Sequence, residues 1–202
     1  MYRALAALRP AEPRTASGAE VAEVAVCLAI GERDPVILAC PADGARAVRK
    51  GNTIAIGKAA KPGGRVAAAL LSAVAALLCD PKATALICAG KLDPQEDYRS
   101  AFSFAARHRL PILFLVANRL TPRRGPTLEL STLHAEFGIP VFSVDANDAI
   151  AAYRVTTEAL HNARHLRGPC VIEALTVRGN GGTSRALALL RGYMERHDNW
   201  PI

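Results

Sequence analysis

Apolar positions along the chain alternate between two kinds of run. Short and largely apolar stretches, Pro35 to Cys40, Ala83 to Cys88, Ile112 to Ala117, Val141 to Asp145 and Cys170 to Val177, have the length of buried strands. Between them lie longer segments with apolar residues at helical spacing: about 18 to 30, Arg65 to about Cys79, Asp93 to about Arg109, Thr127 to Phe137, Asp148 to Arg167 and Thr183 to Arg196. Apolar strands alternating with helices predict an α/β fold, a three-layer α/β/α arrangement with a mostly parallel sheet covered on both faces. No repeat or linker marks a second unit, so residues 1–202 read as one domain.

Local signals set the boundaries. Ser17-Gly18-Ala19-Glu20 has the form of a capping box. Asp93-Pro94-Gln95-Glu96 combines a capping residue, a first-turn proline and an acid, while Gly138 and Gly168 close two helices. The Arg65 to Cys79 helix is apolar nearly all round, which predicts a central helix buried on several sides, and Asp80-Pro81 ends it. Asp43 to Arg65 has no clean period and reads as a loop with a short helix from Ala45 to Lys50.

Composition narrows the class. Half of the 202 residues are hydrophobic but only 5% aromatic, so the core is expected to be Ala, Leu, Val and Ile. The formal charge of +7 is spread along the chain, as on a solvated basic surface. Cys27, Cys40, Cys79, Cys88 and Cys170 show no C-x-x-C spacing and lie in apolar runs, where a thiol behaves as a small hydrophobe in a reducing compartment. MYRALAALRP is too short an apolar stretch for a signal peptide, and Val66 to Cys79 falls short of the roughly 20 residues that span a bilayer. A soluble, cytoplasmic protein is expected.

Ligands of open parallel sheets bind beyond the carboxyl ends of the strands. Here those ends are Ala89-Gly90-Lys91, Asn118-Arg119-Leu120, Asp145-Ala146-Asn147 and Arg178-Gly179-Asn180-Gly181-Gly182.

At these loops, and in several further stretches, the chain resembles the alpha subunit of the thiamine-diphosphate-dependent first component of 2-oxo acid dehydrogenase complexes. The stretches are Gly18-Ala19-Glu20-Val21-Ala22, Phe104 to Ile112, Phe137-Gly138-Ile139-Pro140, Val144 to Asp148 and Arg167 to Arg178, in the family's order and spacing. The resemblance implies the thiamine-diphosphate-binding fold, with the diphosphate held through Mg²⁺ by a Gly-Asp-Gly motif and a following Asn-Asn pair. Mg²⁺ takes six oxygen ligands, so a lost carboxylate is hard to replace. Matched without gaps, Gly90 stands at the aspartate, Ala89 and Lys91 at its glycines, Asn118 at the first asparagine and Arg119 at the second. Arg178 is retained, but Gly182 falls where the family carries a loop histidine, and the family's loop ahead of the central helix is cut down to Lys58-Ala59-Ala60-Lys61-Pro62-Gly63-Gly64.

The resulting expectation is a degenerate alpha-subunit-like protein acting as a non-catalytic subunit, without Mg²⁺ and not holding thiamine diphosphate by itself. Its partner would be a second copy or a beta-like subunit, contacted through the central helix and the Asp145 to Arg167 segment. Two alternatives stand beside it. One is an active decarboxylating subunit that binds thiamine diphosphate with charge from Lys91, Arg119, Arg178 or a partner. The other is a small anion-binding module, with Lys91 and Arg119 holding the anion directly.

Other candidates have plainer readings. Arg178 to Ser184 could form an amide nest for an anion, or a turn capped by Thr183 or Ser184. The basic loop Asn118 to Gly125 lacks the interleaved aromatics of a nucleic-acid site. Asp145 and Asp148 could pair, but helix capping by Asn147 or Asp148 is the better reading. His108, His134, His161, His165 and His197 read as solvated, although His161 and His165 share a helix face.

Overall fold

The structure is a computed structural model, and it describes residues 19–40, 45, 52–56, 64–92, 98–121, 125–165, 168–177 and 182–196. Seven strands form its sheet: β1 Val36–Leu38, β2 Thr53–Ala55, β3 Ala85–Gly90, β4 Ile112–Thr121, β5 Gly125–Pro126, β6 Val141–Asp145 and β7 Cys170–Val177. Among the described residues six helices accompany them: α1 Glu20–Ala29, α2 Arg65–Cys79, α3 Tyr98–Arg107, α4 Thr132–Phe137, α5 Ala149–His165 and α6 Gly182–Arg196. The strand order is β2-β1-β3-β4-β7-β6, every neighbour parallel, with β5 added antiparallel to the end of β4.

Strand alternation divides the core into two layers. Leu113, Leu115 and Ala117 of β4 share one cluster with α1, α5 and the buried Ala186 and Leu190 of α6. Ile112, Phe114 and Val116 share the other with α2, α3 and Leu133 of α4. Both faces of the sheet are therefore covered, which is why β3 and the first seven residues of β4 are buried without a break. This is the three-layer α/β/α arrangement that the alternation predicts.

Several elements depart from expectation. A strand, β2, lies in the segment read as a loop; it is three residues long at the sheet edge, too short for a period to show. Within the expected helix Ala45 to Lys50 only Ala45 is described. β4 continues through Asn118 and Arg119 to Thr121, because these residues pair with Leu175 and Thr176 of β7 and the strand end folds back on β5. Asn118 and Arg119 thus belong to a strand rather than a loop. α4 begins at Thr132, five residues later than expected, since residues from Thr127 on are tied to β4 by the Thr127 N–H donating to the Arg119 carbonyl at 2.9 Å.

α1 starts at Glu20 behind Ala19 at the N-cap, which makes no side-chain cap bond, so Glu20 lies in the first turn rather than at the third position of a capping box. Ser17, Gly18 and the Asp93 to Glu96 opening lie outside the described residues. α2 is not buried on several sides. It covers the sheet with Val66, Ala69, Leu70, Ala73 and Leu77 and turns Leu71 and Leu78 outward, 69% and 78% exposed. Its uniform apolarity hid which face is which. Cys79 at its end is exposed, unlike buried Cys27, Cys88 and Cys170 and half-buried Cys40.

Candidate functional site

Chain reversal locates the carboxyl-end crevice. The chain leaves β1 toward β2 on one side and β3 toward β4 on the other, so the switch point lies between β1 and β3, where ligands of such sheets usually enter. Gly90 ends β3 beside an irregular register at Cys88/Gly90 and has φ 63°, a left-handed conformation that suits glycine. A Cβ there would meet the Sγ of Cys40 well inside van der Waals contact and the Cβ of Cys40 at 3.0 Å.

Cys40 is held in that place by its neighbours. The Ala39 N–H donates to the Cys88 carbonyl at 3.0 Å, and the Cys40 thiol lies 3.5 Å from the same oxygen as a donor. Cys88 itself is buried, and its thiol is pushed well above the usual range by its hydrogen bond with Cys27, by burial, and by nearby Glu23. The Cys40 side chain therefore fills the volume that a side chain at position 90 would need. Sequence reading missed it, because Cys40 and Gly90 are remote in the chain and meet only through strand pairing.

Asn118 is 1% exposed, and its amide is fully engaged. Nδ2 donates to the Leu128 carbonyl at 2.7 Å and to Glu173 Oε1 at 2.6 Å, while Oδ1 accepts the Leu128 N–H at 3.1 Å. Glu173, 6% exposed, also accepts from the Ser143 hydroxyl. This network fastens the turn after β5 to β4, β6 and β7. Lys91 and Arg119 are exposed; since Gly90 pairs with Val116, Arg119 lies three residues further along β4. Arg178 and the loop from 178 to 181 lie outside the described residues, as do Lys58 to Gly63, Arg123, Arg124 and His197.

The remaining candidates resolve simply. Asp148 caps α5 through Oδ1, which accepts the Ile150 and Ala151 N–H groups at 3.1 and 2.9 Å, and Asp145 accepts the Asn147 N–H at 2.9 Å. His108, His134, His161 and His165 are exposed; His161 and His165 lie with ring centroids 4.3 Å apart. Among the described residues no group of three His, Cys, Asp or Glu side chains is placed to hold a metal ion.

The family model for the dehydrogenase E1 component matches residues 72–185, more than half of the chain. The chain belongs to the dehydrogenase E1 component family. It is 37% identical over 90 residues to the pyruvate dehydrogenase E1 component subunit alpha of Staphylococcus epidermidis (strain RP62A), a match covering 42% of this chain and 24% of that protein. The chain thus spans about a quarter of the curated relatives it matches. A proposed thiamin diphosphate-dependent enzyme from Mycobacterium smegmatis superposes with TM-score 0.53 at 20% identity, covering 78% of this chain and 31% of that one. The benzoylformate decarboxylase of Polynucleobacter necessarius gives 0.58 at 12% identity, covering 84% and 34%. At such identities the two structures establish the fold alone.

Proposed function

We propose that this E1 alpha-like chain, one domain of a cytoplasmic protein, acts as a non-catalytic subunit and does not hold Mg²⁺–thiamine diphosphate by itself. One observation carries the reading: the Cys40 thiol stands where a metal-binding side chain at position 90 would have to lie. Beside it, Asn118 spends its amide inside the protein and Arg119 brings a positive charge to the position matched to the second ligand. On this reading the residues do not fit a small divalent cation that wants six oxygens. The likeness to alpha subunits supports a partner, either a second copy or a beta-like chain. No described helix is long and apolar enough to cross a membrane.

Equilibrium dialysis with thiamine diphosphate, with and without Mg²⁺, tests this, and no retention is expected in either condition. Retention that depends on Mg²⁺, or pyruvate-dependent decarboxylation on adding a beta-like subunit, would establish the active alternative instead. A second reading, an anion held directly by Lys91 and Arg119, draws support from the exposure of both cations beyond the switch point. It requires phosphate to raise the unfolding temperature with no further effect of the thiamine moiety.

A further inference from the structure

The first turns of α5 and the second half of α6 line an open-sided cavity of about 410 Å³, within the range of small-molecule sites. Val155, Leu189 and Leu190 supply apolar lining, and Leu189 is 46% exposed. Its polar edge carries two guanidinium groups, Arg154 and Arg196. Arg154 donates through Nη2 to the Tyr193 hydroxyl at 3.2 Å and lies 6.0 Å from that ring centroid, so its fork is oriented before any ligand arrives. Neither arginine forms an ion pair with a described residue; the described pairs are Arg33–Asp80, Arg99–Glu136 and Arg164–Asp34.

Asp148 also lines the cavity, with Oδ1 turned to the backbone of α5 as a cap. The lining residues thus carry a formal charge of 2 − 1 = +1. That balance favours a monoanion over a phosphate dianion, and the apolar walls favour a ligand with a hydrocarbon body. We propose that this cavity binds a carboxylate carried on an apolar chain or ring, with Arg154 and Arg196 holding the carboxylate and Leu189 and Val155 covering the body. The site is separate from the Gly90 crevice and does not depend on how that crevice is used.

The test is titration of the full chain with octanoate, followed by the ¹H–¹⁵N resonances of residues 149–155 and 186–196. Saturable shifts confined to these amides are expected. The Arg154→Gln/Arg196→Gln variant should weaken binding at least tenfold, as loss of charge-assisted hydrogen bonds requires. Octanamide, without the charge, and inorganic phosphate, without the body, should each bind at least tenfold more weakly than octanoate. Should the double variant not fold, Leu189→Glu, which puts an acid at an exposed position, must weaken octanoate to a similar degree. Absent or unsaturable shifts, binding unchanged in the variants, or octanamide or phosphate binding as well as octanoate would overturn the proposal.

Discussion

The two ends of β1 and β3 treat the same problem, polar groups at strand termini, in opposite ways. At the amino ends, Asp34 is fully buried and saturated: Oδ1 accepts the Thr84 N–H at 2.7 Å, and Oδ2 accepts the Gly31 N–H at 3.0 Å and Arg164 Nη2 at 2.6 Å. Arg164 also reaches the Thr84 hydroxyl at 3.2 Å, so one carboxylate joins α1, both strands and α5. At the carboxyl ends, among the described residues, the contact between the strands is one of packing, the Cys40 thiol against Gly90. The acid nearest in role, Glu173, is turned to Asn118 and Ser143. Among the described residues, one end is held through charge and the other through packing.

The sharpest way to break this contrast is at the amino end. Asp34→Ala removes the acceptor for three donors and is expected to cost about 4 kcal/mol, read by denaturant unfolding. A loss below about 1 kcal/mol would mean the network is incidental. At the carboxyl end, Gly90→Ala combines left-handed strain with overpacking against Cys40, for about 3 kcal/mol. Cys40→Gly should recover at least about 1 kcal/mol of it, a coupling that a double-mutant cycle reads; additive effects would separate the two residues.

Burial raises the Cys170 thiol to about 11, against 9.0 for the free group. Because the folded state holds this proton more tightly, its contribution is fully present below pH 9 and is lost as pH rises through about 11, by about 3 kcal/mol. Cys170→Ala should flatten that part of the stability profile; an unchanged slope would assign it to other groups. The smallest effect is expected for Glu173→Gln, which sets an amide N–H against one of the donors at Asn118 or Ser143. A loss of about 1.5 kcal/mol in thermal unfolding is expected, and no loss would show that the network tolerates a neutral acceptor.

Long apolar runs made the layers legible. α2, β6 and β7 fall at the residues the pattern predicts, since each run is bounded by breaking or polar residues even where, as in α2, the buried face could not be read. What the sequence concealed was decided across strands. Asn-Arg-Leu-Thr reads as a polar loop but is extended because β7 and β5 offer it partners. The edge strand β2 exposes two of its three residues and has no buried face to announce it. At the candidate site Gly90, Asn118 and Arg119 were expected just past their strands, whereas Gly90 closes β3 and the other two lie within β4. The thiol beside Gly90 and the closed amide network of Asn118 needed the fold, because their partners come from distant segments.

The most direct test of the central claim is a crystal of the chain soaked with thiamine diphosphate and Mg²⁺. No metal density is expected beside Gly90 and Arg119, with Cys40 still packed against the glycine. An octahedral ion coordinated at that place would contradict it.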